Sequence, residues 1–369
     1  GYVGFPAGLL AGVFGAMGDQ LASSPNAPQL PAEGLPPLIY STVTAVGYVV
    51  PLILGALSVT SEFRYQTLTP TFLAGPRRGV VYALAPSPVA DGLIWAGTDD
   101  GMVWCTRNGG AHWDNVTPNQ LTPWSKVGNI DASHFDAGSA YAAIDRHRLD
   151  DQKPYIYRTH DGGKTWQLIV EGLPLNQSVN VVRADPVRKR LLYAGAERGV
   201  YLSFDDGGHW QPLQRNLPAT SVRDIVIHDA DLVLATHGRG IWIMDNVSSL
   251  RQLDAHSDNA NFRLFKPELT YRIRLPEFTG TPMPKDEPMA SNPAFGAYLE
   301  YTLKTSPKSS INLDIFDSND RLVRHYSSAD FAPPADPKKL PVAPEWVESP
   351  STMTTDLGTH RFVWPLRYP

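Results

Sequence analysis

Three copies of one short pattern, TRNGGAHW, THDGGKTW and SFDDGGHW, end at Trp113, Trp166 and Trp210. Their tryptophans stand 53 and 44 residues apart. A catalytic motif is rarely needed three times, whereas a structural unit is, and a return of this length marks a repeat architecture. Asn108, Asp161 and Asp205 hold one polar place in the three copies, while Thr165 gives way to His112 and His209. A structural hydroxyl tolerates that exchange; a catalytic group does not.

Four units can be laid over one another from Val80 onward. Their first strands read VVYALAPSP, NIDASHFD, VNVVRADP and VRDIVIHD, and their second strands LIWAGT, AYAAID, LLYAGA and LVLATH. Third strands follow as MVWCTRN, YIYRTHD, VYLSFD and IWIMDN, and fourth strands as WDNVT, WQLIV, WQPLQ and LRQLD. Short apolar and β-branched runs between Gly, Asp and Asn turns are strand signatures. Four antiparallel strands per repeat of this length make a β-propeller blade. The box then falls on the turn from third to fourth strand. There Asn108, Asp161 or Asp205 accepts backbone N–H groups and glycine takes positive φ. Trp113, Trp166 and Trp210 start the outer strands and pack between neighbouring sheets.

Composition agrees. The 30 glycines and 33 prolines among 369 residues suit a turn-rich, mainly β chain. A net charge of −5, with both signs mixed along the chain, speaks against a nucleic-acid partner. The single cysteine, Cys105, excludes an internal disulfide framework and a Cys-based zinc site.

Residues 1–78 differ from the rest. They open on eighteen residues without a charge and continue into a charge-free run from Leu35 to Ser61. A membrane span needs about 20 apolar residues, so a helix over Leu38–Val59 is expected to cross a bilayer. Arg64, Arg77 and Arg78 place its far end in the cytoplasm. The stretch GALSVTSEFRYQTLTPTFLAGPRR resembles the permease subunit of a bacterial ABC exporter at the end of its second span. The resemblance implies an α-helical, membrane-associated segment that lacks the rest of the transporter.

The repeats resemble a bacterial family of sortilin-type (BNR, or Asp-box) propellers, through stretches such as RADPVRKRLLYAGAERGVYLSFDDGGHWQPLQRNLPATSVRDIVIH and LVLATHGRGIWIMDN. Such proteins carry glycosyl hydrolase or sialidase-like labels through kinship with xyloglucanases and sortilins. The resemblance implies an exported, extracytoplasmic module of which four blades are present, in an incomplete ring over residues 79–257. It also implies an Ig-like β-sandwich over 258–369, carried by FGAYLEYTLKT, SSINLDIFDSNDRLVRHYS and GTHRFVWPLRYP, with DSNDR as a hairpin turn. The Pro-rich FAPPADPKKLPVAPEWVESP reads as a loop. A permease piece joined to a propeller piece is expected of a chimeric or truncated chain.

In such blades the second-to-third-strand loops share one face with the blade-to-blade loops. They bring Asp99, Asp100, Arg146, His147, Arg148, Asp150, Asp151, Glu197, Arg198, His237 and Arg239 to one rim. Trp124, on a blade-to-blade loop, is placed to stack on a ligand, although a lone aromatic ordinarily packs. The plain alternative for this rim is ion pairing between loops, as of Arg146 with Asp150 or Arg198 with a carboxylate.

Two functions stay open. One is a non-catalytic module that binds a protein, peptide or glycan on the rim. The other is a glycoside hydrolase of the xyloglucanase or sialidase kind, which needs two carboxylates across the scissile bond. An aromatic-lined cleft with facing carboxylates would favour the enzyme, and a salt-bridged rim would favour binding. His147 and His237 lack partners at metal-ligand spacing, and no phosphate-cradling loop precedes a helix, so no metal and no cofactor is expected.

Overall fold

The computed structural model describes residues 80–253, 260–272, 293–330 and 351–367. All of them belong to one compact unit, Gly79–Pro369. The proposed membrane helix and the Pro-rich loop at 331–350 lie outside the described residues.

The first sheet contains β1 (Val81–Pro86), β2 (Ile94–Thr98), β3 (Val103–Thr106) and β4 (Asp114–Asn115) in sequential antiparallel order. The second repeats that order with β5 (Lys126–Ala132), β6 (Ala140–Asp145), β7 (Ile156–Thr159) and β8 (Gln167–Leu168). The third does so with β9 (Val179–Ala184), β10 (Leu192–Ala196), β11 (Gly199–Ser203) and β12 (Gln211–Pro212). Each box sits on the third-to-fourth-strand turn. First strands stack on one another, β1 on β5, β5 on β9 and β9 on β13 (Ser221–His228), so the sheets follow one another face to face as propeller blades do.

Three apolar layers fill the seams. Trp95, Val103, Val127 and Ile130 join the first two sheets. Ile156, Val182, Leu192 and Trp210 join the second and third. Val181, Tyr193, Val222 and Ile225 join the third and fourth. Gly97 and Gly195 permit the close approach: a Cβ on either would lie 2.3 Å from Val127 Cγ1 or 2.7 Å from Val222 Cγ1. Each first strand also carries a register irregularity near its start, seen at Val81/Ala83, Val127/Asn129, Val179/Val181 and Val222/Asp224. The insertion turns Tyr82, Gly128, Asn180 and Arg223 out of the ladder.

The fourth sheet departs from expectation. Among the described residues it has three strands, β13, β14 (Asp231–His237) and β15 (Ile241–Met244), and Leu250 to Leu253 of the expected strand LRQLD form no outer strand. A short helix, α1 (Ser248–Gln252), takes its place. The reason is tertiary. Arg251 Nε reaches the buried Asp185 carboxylate at 3.0 Å, Leu250 packs into the core, and Arg188 donates to the Leu250 carbonyl at 2.7 Å. Alternation along a strand would not deliver both side chains inward.

Beyond the blades, β16 (Phe262–Leu264), β17 (Ala297–Leu303) and β20 (Gly358–Trp364) form a three-stranded sheet. The hairpin β18 (Asn312–Phe316) and β19 (Leu322–Ser327) turns at DSNDR, where Asp317 N donates to Arg321 O at 3.0 Å. The two sheets face each other through Tyr326 and Phe362, whose rings lie 4.8 Å apart. Arg361 ties this layer to the fourth blade through the Asp245 carbonyl at 2.6 Å.

Candidate functional site

The boxes are structural turns. Asn108 Oδ1 accepts from His112 N, Asp161 Oδ1 from Thr165 N and Asp205 Oδ1 from His209 N, each at 2.9 Å. The turn that Asp161 supports is exposed rather than buried, and Thr165, which donates both its hydroxyl and its N–H, draws the Asp161 pKa down to about 2. Trp166 Nε1 donates to Val116 O at 2.7 Å and Trp210 Nε1 to Ile169 O at 2.9 Å, each a carbonyl of the preceding blade. Trp113 is half-buried at its own turn. In the third copy Asp206 takes the backbone position of Gly109 and Gly162, at φ 68° beside their 68° and 72°. Its carboxylate accepts from Arg158 at 2.8 Å, from His160 at 2.9 Å and from the buried Tyr141 hydroxyl, all on the second blade. The strained backbone and the three partners compensate each other.

On the opposite rim the carboxylates are turned inward. Asp99 accepts Val80 N at 2.8 Å, and Asp100 accepts the Thr98 hydroxyl. Arg146 pairs with Asp151 at 3.3 Å, not with Asp150. Asp150 is exposed because it caps a 3-10 turn at φ 59°, which directs its side chain away. Asp151 also accepts the Tyr155 hydroxyl at 2.8 Å and Lys153 N at 3.2 Å. Desolvation raises its pKa, but these bonds and Arg146 outweigh it and hold the group below the ordinary carboxylate range. Glu197 accepts from Asn180 at 3.1 Å and pairs with Arg223 at 3.2 Å. Arg198 therefore does not take its neighbouring carboxylate.

The exposed heads are of the other sign. Arg148, Arg198 and Arg239 are exposed, and their side chains bond to no other described residue. His147 is held by Asp145, 2.6 Å from Nδ1, which leaves Nε2 toward solvent. His237 is exposed beside Arg239. Trp124 does not pack: it is 61 % exposed, at φ 68°, with its N–H fixed on Asp100 O at 2.7 Å. The residues that sequence reasoning missed are Asp145, Tyr155, Asn180 and Arg223. Asp145, two residues before His147, and Tyr155, four after Asp151, left a local signal; Asn180 reaches Glu197 from the first strand of the same blade, and Arg223 joins across a blade seam.

Glycoside hydrolysis asks for one protonated acid opposite one ionised group; on this rim Asp99, Asp100, Asp151 and Glu197 are each engaged by a donor or cation of the chain itself. A cleft of about 610 Å³ lies on the box face among Asp91, Arg107, Asp114, Asp161 and Lys164 and is lined by no aromatic residue. Asp114 is paired with Arg107 at 2.7 Å, and Asp161 is held ionised. Among the described residues no group of three or more His, Cys, Asp or Glu side chains is placed to hold a metal ion.

No protein-family model matches the sequence, and no curated protein matches it. Solved structures are similar at low identity. YCF48 bound to a D1 peptide is 17% identical with a TM-score of 0.37, over 46% of this chain and 53% of that one. The GH74 xyloglucanase from Xanthomonas campestris is 14% identical with a TM-score of 0.39, over 68% and 36%. The GH74 enzyme from Niastella koreensis is 14% identical with a TM-score of 0.38, over 46% and 29%. The chain thus aligns with about half of YCF48 and about a third of each enzyme.

Proposed function

We propose that the chain carries a non-catalytic binding module of the Asp-box propeller kind whose ligand, a protein, peptide or glycan, docks on the second-to-third-strand rim. One observation carries the reading: Asp99, Asp100, Asp151 and Glu197 are each engaged by a donor or a cation of the chain itself. A general acid needs a carboxyl kept protonated near neutral pH, and Asp151 is shifted the other way. Trp124 and the arginines remain presented to solvent. The tail, two small sheets facing each other, is read as the Ig-like sandwich that accompanies such propellers. The module is read as extracytoplasmic, a reading supported only by its resemblance to an exported family.

The test pairs a hydrolysis assay with a binding screen. Xyloglucan and a sialylated oligosaccharide incubated with the chain should release no reducing ends or free sialic acid. Binders found in a glycan and peptide panel should be lost on Trp124→Ser and kept on the box-face change Asp91→Ser. Product release that disappears in Glu197→Gln or Asp151→Asn would replace this reading with the hydrolase.

A further inference from the structure

Acids and bases are near balance on the rim loops, but their disposition is not. The carboxylates of Asp99, Asp100, Asp145, Asp151 and Glu197 are bonded within the chain. Arg148, Arg198 and Arg239 are not, and each stands on the loop of a different, successive blade. Lys153 is exposed on the same loop as Arg148, and Asp150 is the exposed carboxylate among these cations. We infer that the rim is a docking surface for an extended acidic polypeptide segment, with Trp124 as its apolar anchor and Arg148, Arg198 and Arg239 as its carboxylate clamps. The inference rests on the reading of the rim as a binding surface and adds the chemistry of the partner.

Spacing favours a polymer over a small anion. Facing sheets stack about 10 Å apart, so three arginines on three blades cannot converge on one carboxylate. An extended peptide advances about 3.3–3.6 Å per residue, and roughly three residues carry it from one blade to the next. A segment of about seven or more residues, acidic at every third position, meets all three guanidinium groups, each able to fork two bonds to a carboxylate. Trp and Arg are also the side chains that dominate protein-interaction hot spots. Trp124 suits that role because its backbone bond fixes the main chain that carries the exposed ring before any partner arrives, which lowers the backbone part of the ordering cost of binding.

The experiment is fluorescence anisotropy on the whole chain with a labelled peptide of four Glu-Gly-Ser repeats, its Gln-Gly-Ser counterpart and a labelled oligogalacturonate. The glutamate peptide should bind, weaken as salt is raised, and exceed the glutamine peptide about tenfold. The combined change Arg148→Gln, Arg198→Gln and Arg239→Gln should weaken the glutamate peptide about tenfold and flatten its salt dependence. Thermal melts of the variants should match the parent, since these side chains touch no other described residue. Absence of glutamate-peptide binding, equal binding of the glutamine peptide, or indifference to the three changes overturns the inference. Tighter binding of oligogalacturonate, sensitive to the same arginines, overturns it in favour of an acidic glycan. A rim that binds the glutamine peptide and loses it on Trp124→Ser refutes the anionic partner while the binding surface stands. Binding unmoved by every rim change and lost on the box-face Arg107→Gln refutes both.

Discussion

Glu197 and Arg223 face each other at 3.2 Å across the seam between the third and fourth blades, with Asn180 donating to the same carboxylate oxygen at 3.1 Å. The acid is thereby spoken for, although the Arg223 and Glu197 side chains stay 46% and 32% exposed. Exposed pairs contribute little, about 0.2–1 kcal/mol. Glu197→Gln should accordingly change stability by less than about 1 kcal/mol in a urea melt. A loss of several kcal/mol would show that the pair is a structural strut rather than a neutralised surface acid.

Asp206 stands where the other two boxes have glycine, at φ 68°. Asp206→Gly relieves the left-handed backbone but strips Arg158, His160 and the buried Tyr141 hydroxyl of their acceptor. A buried donor left unpaired costs about 1–3 kcal/mol, against roughly 1 kcal/mol regained in the backbone. The variant should therefore melt lower than the parent. An unchanged or raised melting temperature would mean that the three bonds do not outweigh the strain.

Arg251 compensates a fully buried carboxylate, and that bond is the reason the fourth sheet ends in a helix. Asp185 also accepts Val187 N and Arg188 N, at 2.9 and 2.8 Å, so the guanidinium and two backbone donors meet on one buried carboxylate. Arg251→Ala should cost about 3–5 kcal/mol, the usual penalty for orphaning a buried charge. Adding Asp185→Asn should recover part of it. A single variant as stable as the parent would contradict the packing of α1 against the third blade.

Acid titration should single out Asp161. Its folded pKa is about 2, against 3.8 for the free side chain, because the Thr165 hydroxyl and N–H favour the ionised form. A depressed folded pKa adds stability that is complete above the unfolded value and vanishes as pH falls through the folded one. Asp161→Asn keeps an acceptor oxygen, as Asn108 does naturally in the first box, but loses this linkage. The melting-temperature gap between parent and variant should be constant above about pH 5 and close between about pH 4 and pH 2. A gap independent of pH would show that the carboxylate charge contributes nothing to the turn.

The local part of the architecture could be read before any coordinates. The boxes, the strands ahead of each of them and the DSNDR hairpin are short-range patterns of turn residues and alternation, and they sit close to where those patterns put them, except that the strand expected at NIDASHFD begins three residues earlier and ends at Ala132. What escaped was set by contacts between distant residues. LRQLD looks like a strand until Asp185, 66 residues away, draws Arg251 inward. Arg146 chooses Asp151 over Asp150 because the left-handed conformation at Asp150 turns that carboxylate out. Arg223 reaches Glu197 only because neighbouring blades stack, and Asn180 only because β9 pairs with β10 within the third blade; nothing near either in the sequence marks it. Trp124 has the composition of a packing residue, and its exposure follows from the bond that fixes its backbone to Asp100.

Hydrogen exchange of the whole chain, with and without the glutamate peptide, tests the location of binding most directly. The account predicts slowed exchange at 145–154, 196–199 and 236–240 and around Trp124, with the box turns at 107–113, 159–166 and 203–210 unchanged. Protection confined to the box turns, with the rim loops exchanging as in the free protein, would contradict it.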